Sequence, residues 1–164
     1  MNYRDKLDFI ARVAPWAQMS QSKYGVPASI VIAQAILESN WGQSLLAAQA
    51  NNFFGIKDSR IANDGYVEFK TTEILKGIPR RILARFEKFN DAQRSFDCHG
   101  RLLGTLPRYQ KAMADSDDPF VFAARLYECG YSTDPAYPQK LASLITEFRL
   151  GEYDAPKGAK EQRT

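Results

Sequence analysis

Two glutamates and one tyrosine stand where their chemistry would be out of the ordinary. Glu38 follows a nearly all-apolar run that includes Ile30, Val31, Ala33, Ala35, Ile36 and Leu37. A carboxylate after such a run is unusual, because glutamate is rarely buried unless paired. The run reads as a helix ending near Asn40-Trp41-Gly42. A carboxylate at a helix C-terminus meets the negative end of the dipole. Apolar neighbours such as Leu37 and Trp41 would also desolvate it. Both effects favour the protonated form, the form a general acid needs. The same spacing also fits a glutamate that simply faces solvent at a helix end.

Glu73 lies at the end of an alternating stretch, residues 66–73, on the parity of Val67, Phe69 and Thr71. That places it toward the inner face of a strand; a surface residue at a strand end is the plain alternative. Two carboxylates from different elements across a cleft are the equipment of glycoside hydrolysis. Tyr131 follows Gly130 at a sharp helix-to-turn junction. Its phenol either serves a substrate or anchors the turn. Trp41, Phe53, Phe54, Tyr66, Tyr109 and Tyr137 are candidate stacking surfaces for sugar rings, or core residues. His99 sits beside Cys98 in a helical stretch without an obvious partner, a poor start for a nucleophile–base pair.

These side chains need elements to hold them. Periodicity predicts a first helix over residues 3–24, bent or interrupted at Pro15 and stopped by Gly25. Pro27 opens the apolar helix that carries Glu38, and a short helix through Leu45, Leu46 and Ala48 follows. Residues 66–73 pair with a run holding Ile82, Ala84 and Phe86 through a turn around Lys76-Gly77-Ile78-Pro79. Helices then resume: one capped by Asn90 or Asp91 and running to about Thr105, a short one beyond Pro107, one opened by Asp118-Pro119, and a last one over 138–148. Gly100 inside the first of these should weaken it by up to about 1 kcal/mol relative to alanine. The prediction is one α+β domain, residues 1–150, with a polar, loose tail over 151–164.

The 164 residues suit a single core. No apolar run reaches the roughly 20 residues of a membrane span. Net charge is +3, and two of those charges lie in the last ten residues, which hold Lys157, Lys160 and Arg163 against Glu161. A near-neutral body argues against nucleic acid, while mild basicity suits an anionic polymer. Two cysteines and one histidine do not make a zinc site. Cys98 and Cys129 either pair or remain buried thiols.

Several segments in order resemble the N-acetylglucosaminidases of glycoside hydrolase family 73, which include autolysins, phage lysins and a flagellar rod-assembly hydrolase. They are Pro27-Ala28-Ser29, Ala33-Gln34-Ala35-Ile36-Leu37-Glu38-Ser39-Asn40-Trp41-Gly42, Asn51-Asn52-Phe53-Phe54-Gly55-Ile56-Lys57, Thr71-Thr72-Glu73 and Gly130-Tyr131-Ser132-Thr133-Asp134-Pro135-Ala136-Tyr137. The resemblance implies a lysozyme-like fold, a mainly helical lobe and a small β-hairpin lobe with a groove between them. It implies cleavage of the β-1,4 bond after N-acetylglucosamine in peptidoglycan. Glu38 corresponds to the general acid, Glu73 to the second carboxylate and Tyr131 to the assisting tyrosine. No cofactor or metal is expected. The expected partner is the glycan strand, with neither nucleic acid nor membrane, for a monomer acting in the cell wall or periplasm. Met1-Asn2-Tyr3-Arg4-Asp5-Lys6 lacks an apolar leader, so delivery by phage lysis, a secretion apparatus or a removed leader is expected. The rivals are a lytic transglycosylase, although its Gly-Leu-Met-Gln segment is missing, and a wall-binding module without turnover.

Overall fold

The computed structural model describes residues 1–59 and 64–156. Helices α1 (Tyr3–Tyr24), α2 (Ala28–Ser39) and α3 (Leu45–Ala50) come first. Strands β1 (Tyr66–Leu75) and β2 (Ile78–Glu87) follow, and then α4 (Ala92–Thr105), α5 (Gln110–Ala114), α6 (Pro119–Glu128) and α7 (Tyr137–Glu147). This is the expected α+β arrangement of a helical body with one antiparallel hairpin.

Helix α2 is the centre of the body. Residues 28–36 are all buried, so nearly its whole circumference is packed. Each fully buried isoleucine or valine contributes about 1.5–3 kcal/mol. The chain supplies no side-chain cap at Pro27, which precedes the helix. Asp154 caps it from 125 residues away, accepting from the Ser29 amide and hydroxyl at 2.7 Å each. The tail expected to be loose from residue 151 is therefore packed at its start. Leu150–Tyr153 forms a 3-10 turn with Leu150 buried, and the Ala155 amide donates to Gln21. The expected tail residues 157–164 lie outside the described residues.

Helix α1 runs through Pro15 unbroken, so of the bend or interruption expected there the interruption does not occur. Pro15 is exposed, so the carbonyl it strips of a partner faces water. Gly100 also has a role that its helix propensity hides. A Cβ there would lie 2.0 Å from Ser20 Oγ and 2.8 Å from Tyr24 Cδ2, and one at Gly104 would lie 2.9 Å from the Tyr24 carbonyl. The two glycines let α4 lie against α1. Cys98 and Cys129 are free thiols.

In the hairpin, Val67, Phe69, Thr71 and Glu73 pair with Phe86, Ala84, Ile82 and Arg80 on the half-buried face, as the parity predicted. The turn is tighter than expected. Lys76 and Gly77 alone make it, both at positive φ (51° and 77°). Burial of the Glu87 amide partner Ile56 and the bridge from Lys57 to Phe86 tie the hairpin's base to the loop after α3.

Candidate active site

Glu38 occupies the last turn of α2, and the chain turns sharply behind it. Ser39 Oγ donates to the Ala35 carbonyl at 2.5 Å and accepts from the Gly42 amide at 2.7 Å. Asn40, Trp41 and Gly42 all have positive φ, at 48°, 60° and 75°. The elbow stops the helix one residue after Glu38 and leaves its carboxyl at the wall of a groove of about 580 Å³. Glu38, Phe54, Lys57, His99, Arg108 and Tyr131 are among the residues that line this groove.

The carboxyl is held from behind. Tyr137 Oη donates to Glu38 Oε1 at 3.1 Å and accepts from Gln34 Nε2 at 3.0 Å. Gln34 and Tyr137 are both buried, so this is a fixed relay anchored one helical turn before Glu38. Glu38 itself stays exposed along the groove. Even so, enough protein crowds its carboxyl that desolvation lifts its pKa above the ordinary glutamate value. The hydrogen bond from Tyr137 favours the charged form and opposes that rise. The net direction is toward a carboxyl that keeps its proton to higher pH than a free glutamate, as the desolvation read from the sequence predicted.

Tyr131 lines the groove beside this carboxyl. Gly130 ends α6 at φ 81°, and the Tyr131 amide reaches back to the Leu126 carbonyl at 2.9 Å. Arg108 locks the junction by donating to the Gly130 carbonyl at 2.8 Å and the Cys129 carbonyl at 3.2 Å. The Tyr131 ring stacks on Tyr137 with centroids 5.7 Å apart and stands 6.2 Å from Tyr109. Burial, reinforced by Tyr137 and Glu38, pushes its phenol well above its ordinary pKa. It is a fixed neutral hydroxyl.

The loop after α3 builds the opposite part of the wall. Asn52 is buried and uses its whole amide: Nδ2 donates to the Ile56 and Glu87 carbonyls at 2.9 Å each, and Oδ1 accepts from the Phe54 and Ile56 amides. This clamp presents Phe54 to the groove, stacked on His99 at 3.9 Å. His99 is buried, and neither ring nitrogen has a hydrogen-bond partner among the described residues. Burial lowers its pKa to about 3, so it is a neutral imidazole. The sequence reading set His99 aside as a catalytic base and did not single out Arg108, because what makes them wall residues is contact with Phe54, Cys129 and Gly130, all distant in the chain.

Glu73 lies on β1 and forms an ion pair with Lys57, which lines the groove. The ammonium is thus the link between Glu73 and the groove. The aromatic candidates divide. Phe54 and Tyr109 line the groove, whereas Tyr137 is buried and acts on Glu38 instead of offering a stacking face. Phe53 is in the core against Phe9 and Phe96. Trp41 is packed edge-on to Phe9 and Phe148 and borders a separate hollow with Leu37 and Leu144. Tyr66 stands on the outer hairpin face under the Arg85 guanidinium. Among the described residues, no three His, Cys, Asp or Glu side chains gather as a metal cluster.

A neutral-leaning carboxyl, a fixed phenol and an open groove are the parts of a glycosidase, and comparison with known proteins agrees. The Glucosaminidase family model, described as mannosyl-glycoprotein endo-β-N-acetylglucosaminidase, matches residues 14–150. The chain belongs to this family, glycoside hydrolase family 73. The glucosaminidase chain is 39% identical over 150 residues to the exo-glucosaminidase LytG of Bacillus subtilis, covering 89% of this chain and 52% of that protein. It is 32% identical over 155 residues to the peptidoglycan hydrolase FlgJ of Pseudomonas aeruginosa, covering 92% of this chain and 39% of that one. It therefore spans about half the length of these relatives or less. The catalytic domain of the autolysin Auto from Listeria monocytogenes superposes with a TM-score of 0.84 at 32% identity, covering 94% of this chain and 90% of that one. A glycoside hydrolase domain of FlgJ from Salmonella typhimurium superposes with a TM-score of 0.71 at 32% identity, covering 88% and 97%. The family match and the hairpin lobe support the lysozyme-like, two-lobed architecture read from the sequence.

Proposed function

We propose that this chain hydrolyses the β-1,4 bond after N-acetylglucosamine in the peptidoglycan backbone, acting in the cell wall or periplasm on glycan strands, as a monomer and without a metal. One observation carries this reading: the Glu38 carboxyl, desolvated and held by Tyr137, faces a groove lined by aromatic side chains. Glu38 donates its proton to the glycosidic oxygen as positive charge develops at the anomeric carbon. Electrons of the breaking bond leave with that oxygen, and the departing sugar takes the proton.

Glu73 acts as the second carboxylate, with Lys57 holding it at the groove's edge. Tyr131 contributes a neutral hydroxyl that orients the 2-acetamido group or the attacking water. Water closes the reaction by adding to the anomeric carbon, so the product carries a new reducing end. Residues 1–150 are the catalytic part. Digestion of purified peptidoglycan, with mass analysis of the new ends, tests the assignment. Reducing N-acetylglucosamine ends are the expected result, and anhydro-muramic ends would transfer the chain to the lytic transglycosylases. Glu38→Gln should lose nearly all turnover while keeping its fold.

A further inference from the structure

The far half of the hairpin has a composition that neither the groove nor the core accounts for. Every residue from 74 to 81 is exposed. Ile74, Leu75 and Ile78 show 73%, 46% and 55% of their surface to solvent. The register puts Leu75 opposite Ile78 on one face of the ribbon and Ile74 opposite Pro79 on the other. The tip is therefore apolar on both faces. A hairpin that packs against a partner protein or its own core is apolar on one face only, because its side chains alternate. An apolar tip on two faces suits a medium that surrounds it.

Behind the tip is a collar of cations. Lys76 is in the turn, Arg80 and Arg81 follow it, and Lys70 lies across from the exposed Leu83. None of these four is in an ion pair among the described residues. The hairpin's acids are already engaged: Glu68 with Arg85, Glu73 with Lys57, and buried Glu87 with Ser59. Arg80 stands across from Glu73, whose carboxylate Lys57 has taken. The outer half of the ribbon thus carries uncompensated positive charge just behind three aliphatic side chains.

We propose that this hairpin tip inserts peripherally into the surface of an anionic lipid bilayer, with Ile74, Leu75 and Ile78 in the acyl boundary and Lys70, Lys76, Arg80 and Arg81 at the headgroups. Apolar insertion and basic attraction add together in such contacts. An anionic wall polymer or nucleic acid would match the cations but give no reason for the exposed aliphatics. No described helix is long and apolar enough to cross a membrane, and a peripheral contact needs none. The inference replaces the expectation of no membrane partner. It is independent of the role given to Glu38.

The test is co-sedimentation of the chain with vesicles of phosphatidylglycerol and phosphatidylcholine, and with phosphatidylcholine alone. The expected result is binding to the anionic vesicles only. The double variant Ile74→Ser, Ile78→Ser should bind at least about tenfold more weakly, as loss of two aliphatic anchors implies. Its circular dichroism and its hydrolysis of soluble peptidoglycan fragments should match wild type. Leu75→Trp should show blue-shifted emission with anionic vesicles and quenching by brominated lipid. Absence of binding to anionic vesicles overturns the proposal. So does binding that survives the double serine change, which would mark a purely electrostatic attraction to any polyanion. An equal loss of fragment hydrolysis in that variant would assign the tip to the glycan groove and sink the proposal as well.

Discussion

Glu38 and Glu73 are the same residue in opposite settings. Glu38 ends a helix that is buried on almost every side, and a phenol backed by a buried amide holds its carboxyl. Glu73 sits on a two-stranded ribbon and meets an ammonium in a pair whose lysine is more than half exposed. In the first case low hydration favours the proton; the second is an ion pair at the surface of the hairpin. One fold therefore gives identical side chains two different environments, the condition under which a pair of carboxylates can be given two tasks. The contrast extends to architecture: Glu38 is built onto the buried central helix, while Glu73 rides on a hairpin whose contacts are mainly within itself.

The largest expected break in this comparison is Glu38→Gln. Reducing-end release should fall by about three orders of magnitude or more, as loss of a general acid entails. Stability should move the other way. Because folding raises the Glu38 pKa, the folded chain holds that proton more tightly than the unfolded one. The resulting stabilisation is complete below the ordinary glutamate value and is lost as pH rises through the raised one. Glutamine carries no such dependence. Thermal melts should show the variant at least as stable as wild type near neutral pH, and less favoured relative to wild type in acid.

Glu73→Gln should reduce turnover by about two orders of magnitude if it activates water, with stability changed by less than about 1 kcal/mol, the ordinary worth of an exposed ion pair. Steady-state kinetics with a parallel melt measures both. A small kinetic effect would make the 2-acetamido group the nucleophile and leave Glu73 an electrostatic bystander.

Tyr137→Phe sharpens the other side. It removes the bond that favours the charged form of Glu38, so the alkaline limb of the pH–rate profile should move to higher pH. Leaving the buried Gln34 amide without its acceptor should cost about 1–3 kcal/mol in denaturant melts. A limb that stayed in place would show that the phenol does not tune the acid.

Near neutral pH the smallest effect is expected from His99→Leu. Folding lowers this imidazole's pKa from the usual 6.5 to about 3, so the unfolded chain binds the proton first as pH falls. Wild-type stability should decline for this reason below about pH 6.5, down to about pH 3. The leucine variant should lack that share of the acid loss while matching wild type at neutral pH. Melting temperature against pH for both chains measures it.

Much of this was readable in the linear chain. The apolar run before Glu38 required a central helix, and alternation in β1 put Glu73 on the inner face; both are local consequences of periods 3.6 and 2. The tight turn was misjudged because Ile78 and Pro79 read as turn residues, although two positive-φ positions at Lys76 and Gly77 suffice. Gly100 looked like a weakness because propensity is a property of one helix, whereas its space is taken by Ser20 and Tyr24 of another. Pro15 read as a bend or break because the sequence does not say which side of α1 faces water.

What the sequence determined by itself were elements whose cause lies within a few residues: the Asp118 cap, strand parity, the stop at Gly25, and a carboxylate placed where a helix ends. What only the tertiary structure decided were meetings between distant residues: Tyr137 on Glu38, Asp154 on the start of α2, Arg108 on the Gly130 carbonyl, His99 under Phe54. Desolvation and hydrogen-bond partnership depend on which atoms surround a group in space, and the packing of the whole chain sets that neighbourhood.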